Sequence, residues 1–325
     1  MGSVTRPKLR VIVDTDPGID DAMALLFLRG RRDVSIEALT TVFGNGGVAI
    51  TARNASYLVQ RFGLAVPVHA GADVPLEMPR RVLATHVHGA DGFGDTDVAA
   101  GYSPVVEKES AADAIVRLVR SAPGEISILA LGPLTNLALA LDRDPGIAPL
   151  VKEVVAMGGA FGFSGRRGNV SPAAEANIAN DPHAADTVLG ADWPVRMVGL
   201  DVTSCCVLPS ALARTIADRG GEAGRFLWDI SRNYERLYRE HDDLDGCCIH
   251  DVAAAMRLVE PGLFETVSGP IRVVTEGIAT GETIQKPDSL AYPAGAWDGR
   301  PSQGACREVD AARLLEIYAA AFGGD

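Results

Sequence analysis

Short apolar runs alternate with stretches of helical period along the first two-thirds of the chain. Leu9–Asp14 (LRVIVD) reads as a buried strand, and Asp20–Leu28 (DDAMALLFL) as the helix that follows it. Further strands are expected at Val34–Val42, Val66–Ala70, Ile126–Leu131, Val154–Met157 and Val195–Leu200. Helices are expected between them at Ala49–Phe62, Ala111–Arg120, Pro133–Leu141 and His183–Leu189. The strands are apolar throughout instead of alternating with period two, so both of their faces must be covered. The spacing predicts an α/β fold, an open, mostly parallel, Rossmann-like sheet flanked by helices. Beyond Pro209 the texture changes: helices at Ser210–Arg219, Glu222–Glu240 and Asp251–Val259, a β-hairpin or edge strands over Thr266–Thr283, and a closing helix at Val309–Ala321. No Pro/Gly/Ser-rich linker and no internal repeat interrupts this order, so 1–325 reads as one domain, with 1–7 a flexible N-terminus.

Composition narrows the class. With 325 residues, 47% hydrophobic and 22% charged, the chain can bury a large core and is not a disordered polymer. Thirty basic against 42 acidic residues leave a net charge of −12, which repels nucleic acid and tolerates a small neutral substrate or a divalent cation. No apolar run reaches the roughly 20 residues of a membrane span, and MGSVTRPKLR lacks an apolar signal core. Cys205, Cys206, Cys247, Cys248 and Cys306 show no zinc spacing and form a poor disulfide framework. They read as small buried hydrophobes in a reducing cytoplasm.

In open parallel sheets, sites form outside the carboxyl ends of the strands. There Asp14-Thr15-Asp16-Pro17-Gly18-Ile19-Asp20-Asp21 puts four carboxylates within eight residues. Pro17-Gly18 forces a turn, and a helix starting after Gly18 offers its N-terminal dipole to Asp20 and Asp21. A dipole cannot neutralise four crowded carboxylates, so a hard divalent cation is implied, Ca²⁺ or Mg²⁺ before zinc. The same Asp-x-Asp could instead open a phosphoryl-transfer site, but no lysine stands beside a strand-end motif to serve it. Asn169, Glu175 and Asn177 can hydrogen-bond hydroxyls, His250-Asp251 opens an apolar helix, and His86-Val87-His88-Gly89 reads as a mobile flap.

Taken in order, DTDPGIDDA, TTVFGN (40–45), HVHG (86–89), LGPLTNLA (131–138), VVAMGG (154–159), EAN (175–177), MVGLDVT (197–203) and HD (250–251) resemble the inosine–uridine preferring nucleoside hydrolase family. The similarity runs over roughly residues 8 to 320. It implies a Ca²⁺-dependent N-ribohydrolase with the nucleoside hydrolase fold, acting on small ribonucleosides as a homodimer or homotetramer in nucleoside salvage. It further implies that Asp16, Asp21, Asp251 and the backbone carbonyl of Leu131 hold the metal. Asp20, Asn169, Glu175 and Asn177 would grip the ribose with Asn45 in support, and His88 and Met157 would add substrate contacts. Ala176 stands where relatives often have phenylalanine, which opens space near the ribose or base.

Chemistry supports these roles. Breaking an N-glycosidic bond builds oxocarbenium character on the sugar, which a ring of carboxylates stabilises. Asp16 beside a metal-activated water is the expected general base, and His250, titrating near neutrality, the expected acid for the departing base. Tyr234 and Tyr238, one helical turn apart, could face that base. Two other classes fit the same residues: a non-catalytic calcium- or ribose-binding protein, and a metal-dependent phosphohydrolase.

Overall fold

The computed structural model describes residues 9–83, 85–163 and 165–323, so the expected tail at 1–7 lies outside the described residues. Twelve strands are described: β1 Leu9–Thr15, β2 Val34–Thr41, β3 Val68–Ala70, β4 Ile126–Ala130, β5 Val154–Met157, β6 Val195–Val198, β7 Val207–Pro209, β8 Gly246–Cys248, β9 Phe264–Gly269, β10 Ile271–Val273, β11 Thr283–Gln285 and β12 Gln303–Val309. Eight of them form the main sheet, in the order β3-β2-β1-β4-β5-β6-β12-β9. Every pair in it is parallel except β12 with β9. The order reverses between β1 and β4, and the crevice at such a reversal is where open α/β sheets bind ligands.

Successive side chains on a strand point to opposite faces. Val11 and Val13 of β1 join one core with Leu39, Leu129, Val155 and Val198, under helices Ile19–Arg29 and His250–Val259. Ile12 joins the opposite core with Ile128, Val154, Val195 and Met197. This two-sided burial is why these strands carry no polar alternation. It also leaves their C-terminal ends as the place where the sheet can present polar groups.

Thr266–Thr283 holds the edge strand and antiparallel pair expected of it: β9 closes the edge of the main sheet, and β10 pairs antiparallel with β11. Two other points differ from the expectation. Val309 ends β12, and the closing helix is Ala311–Ala320. β12, inserted between β6 and β9, was not anticipated, because QGACREV lacks the apolar run of a central strand. Among the described residues no helix is long and apolar enough to cross a membrane. Cys205 is exposed, whereas the other four thiols are buried.

Candidate active site

β1 delivers Asp14 and Asp16 to the reversal, and the turn at Pro17-Gly18 hands the chain to the Ile19–Arg29 helix. Asp21, at the third position of that helix, caps it by accepting the Gly18 N–H at 3.0 Å. Its two oxygens also accept from the Thr15 hydroxyl (2.5 Å), the Asp16 N–H (3.3 Å) and the Asn45 amide (3.0 Å). Four donors therefore fix one carboxylate. The His250–Val259 helix packs on this helix and presents Asp251 in its own first turn. Two helix N-termini, each favourable to negative charge, converge on one acidic cluster.

Carboxylate oxygens of Asp20, Asp21 and Asp251 lie within 4.8 Å of one another, and all three residues are buried. Asp16 adds a fourth charge. One of its oxygens accepts the Asn45 N–H at 2.7 Å, while Oδ1 is buried without any partner. Desolvation raises all four acids, Asp20 to about 8, and repulsion from Asp21 adds to the rise at Asp16. Burial raises Asp14, behind them, to about 7. Like charges at this separation are costly unless protons or a cation intervene. An orphaned buried oxygen among hard oxygen donors fits a divalent metal.

The cluster forms one end of a cavity of about 470 Å³. Glu175 accepts the N–H groups of Gly159, Asn177 and Ile178, so its carboxylate is fixed in place, and burial raises it above the usual range. The Asn177 amide donates to the carbonyls of Leu131 (2.7 Å) and Met157 (3.2 Å), tying the ends of β4 and β5 together. Asn169 reaches back to the Ala176 N–H at 3.0 Å.

On the opposite wall, Tyr234 is buried and meets Tyr238 edge-on at 5.0 Å. The Tyr238 hydroxyl lies 2.7 Å from His250 Nε2, and the Thr203 hydroxyl 2.8 Å from His250 Nδ1. Burial, aided by the Arg166 charge, lowers His250 to about 4. The imidazole is therefore neutral at pH 7, in contrast to the near-neutral titration expected from the sequence. His88 differs too. The segment read as a mobile flap contains a short helix, Thr85–His88, whose last residue is buried. Its Nδ1 accepts the Ile19 N–H at 3.2 Å, and burial lowers it to about 3.

Asp20, Asn45, His88, Leu131, Met157, Asn169, Glu175, Asn177, Tyr234, Tyr238, His250 and Asp251 thus line one cavity. Asp16 and Asp21 lie in the bonded layer beneath it. Thr15 and Thr203, which hold Asp21 and His250, were overlooked. Each stood inside a motif, but a hydroxyl's partner is set by tertiary contact.

A mostly parallel sheet with a buried acidic cluster at its reversal, facing Asn169, Glu175 and Asn177 across one cavity, points to a class: the nucleoside hydrolases, which are N-glycosyl hydrolases. Solved structures agree. A plant nucleoside hydrolase superposes with a TM-score of 0.93 at 34% identity, covering 98% of this chain and all of that one. A purine-preferring ribonucleoside hydrolase from Gardnerella vaginalis gives 0.87 at 30% identity over 96% of this chain and 98% of its own. The model of the inosine-uridine preferring nucleoside hydrolases matches residues 11–316, and the chain belongs to that family. The probable uridine nucleosidase 1 of Oryza sativa is 42% identical across 85% of this chain and 84% of its own length. The inosine-uridine preferring nucleoside hydrolase of Crithidia fasciculata is 34% identical over 83% and 85%.

Proposed function

We propose that the chain hydrolyses ribonucleosides to ribose and free base with a calcium ion seated by Asp16, Asp21, Asp251 and the Leu131 carbonyl. The supporting observation is the unpartnered Asp16 Oδ1, buried beside three converging carboxylates. When bound, such an ion supplies charge to offset these acids, a grip on the sugar diol, and acidity to a coordinated water. Asp16 then takes the proton of the attacking water, since one of its oxygens is free of any protein donor. Asp20, Asn169, Glu175 and Asn177 hold the ribose hydroxyls, and the carboxylates stabilise positive charge developing on the ring.

The departing base needs a proton. Burial pushes Tyr238 well above the usual phenol range, so it keeps its hydrogen, and it touches neutral His250. The pair can hand that proton to the leaving nitrogen, with Tyr234 and His88 flanking the ring. Uridine and inosine are the first substrates on this reading, because relatives that cover most of the chain are named for them.

The test is base release from inosine, uridine, cytidine and adenosine, with and without a chelator. Release that stops on chelation and returns with Ca²⁺ supports the reading. Tight ribose binding with no release from any nucleoside overturns it in favour of a binder, and phosphate release from nucleotides in favour of a phosphohydrolase.

A further inference from the structure

A second cavity of about 340 Å³ opens beside the first. The two share His86, Val87, Asn169, Tyr238 and His250, so the second begins at the wall where the base departs, away from the carboxylates. Its far side carries Arg166 and Arg167, from the loop after β5, and His241 and Asp242 from the Gly221–Asp242 helix. Arg166 lies close enough to His250 and Cys248 for its charge to act on both. Among the described residues no carboxylate forms an ion pair or hydrogen bond with it. The loop is pinned on both sides of the arginine. Asp201 accepts the N–H groups of Phe161 (2.7 Å) and Phe163 (2.6 Å), and Asn169 accepts that of Ala176 (3.0 Å). The rings of Phe161 and Phe163 stack at 5.6 Å. Arg166 is thus an exposed guanidinium, unpaired among the described residues, beside the cavity that shares Tyr238 and His250 with the site, on a loop whose backbone is anchored at Phe163 and at Asn169.

Resting on the nucleoside hydrolysis read above, we propose that Arg166 contacts the departing base and stabilises negative charge on its exocyclic oxygens, favouring oxo-bases such as uracil and hypoxanthine. In the step, the C1′–N bond breaks and its electron pair stays on the base nitrogen. A C1′–O bond forms from water, whose proton goes to Asp16. Charge spreads over the ring and its carbonyl oxygens until a proton arrives from the Tyr238–His250 pair. Arginine stays protonated throughout, so it acts as a charge with directed N–H donors, not as the acid. Such donors, aimed where charge develops, act chiefly in the transition state.

The experiment compares Arg166→Gln and Arg166→Lys with the intact enzyme in Ca²⁺, on uridine and on a nitrophenyl riboside whose leaving group needs no assistance. The expected result is a loss of about 30-fold in kcat/KM on uridine for Arg166→Gln, and less than about threefold on the nitrophenyl riboside. Arg166→Lys recovers part of the uridine activity. Equal losses on both substrates overturn the proposal, because a structural defect would not sense the leaving group. So does a preference of the intact enzyme for uridine 5′-phosphate that vanishes in Arg166→Gln, which would place the guanidinium at the other end of the ribose. If the intact enzyme releases neither uracil nor nitrophenol, the hydrolase reading itself fails, and the proposal with it.

Discussion

Two buried side chains with opposite surroundings divide the chemistry. Asp21 accepts from four donors, which fix its orientation toward the cluster. Asp16, with one oxygen bare, is free to accept a proton or a metal. Asp16→Asn keeps the shape and removes that basicity. It should lower kcat by about 10²–10⁴-fold while calorimetry still detects nucleoside binding; near-normal turnover would assign the base to another residue. His250 is held between two hydroxyls. Its replacement by alanine, or Tyr238→Phe, should depress turnover on uridine more than on a nitrophenyl riboside. Equal depression on both would remove the pair from leaving-group protonation.

At the scale of elements, the site depends on how closely strand ends approach one another. Gly44 follows β2 at φ +156°, and a Cβ there would run into the Asp16 carboxylate. Gly132 follows β4, where a Cβ would lie 2.7 Å from Asp16 Oδ1. Asp16 is buried and tied to Asn45, so it cannot swing aside without losing that bond. Gly132→Ala should therefore cost about 1–3 kcal/mol of stability in urea unfolding and weaken Ca²⁺ binding. An unchanged midpoint with unchanged calcium affinity would show that β4 can back away from β1. Only some elements of this frame were readable in the chain. The apolar runs of β1, β4 and β5 announced buried parallel strands, because two-sided burial demands them. β12 did not announce itself: β6 and β9 hold its backbone, and its outer end is polar.

For the whole molecule, the acidic cluster links stability to pH and metal. Asp14 and Asp20 keep their protons in the fold to about 7 and about 8, against 3.8 ordinarily. Between these values the folded state binds more protons than the unfolded one, so metal-free stability falls as pH rises. The loss begins near the ordinary carboxylate range and is complete once pH passes the raised values. Calcium competes for the ionised forms, so the stabilisation it adds should grow over the same interval. Melting temperatures in chelator should decline from about pH 5 to about pH 8, and the gap to the Ca²⁺-loaded enzyme should widen. A gap that stays constant with pH would mean that the ion and these protons do not share a site.

The chain itself determined the covalent facts that local chemistry can express. A run of β-branched residues must be covered on both faces, Pro17-Gly18 must turn, and four carboxylates within eight residues must be neutralised by something. Those facts reached the sheet and the acidic cluster, and the family resemblance reached many, but not all, of the residues that line the cavity. Tertiary structure decided what depends on distance and dielectric. Asp251 meets Asp21 only because two helices start at one point, and His250 is neutral because the fold buries it near a cation. Arg166 comes to line a cavity beside His250 only because the loop after β5 folds back over that side of the site. None of these follows from spacing, since pairing and desolvation arise between groups far apart along the backbone.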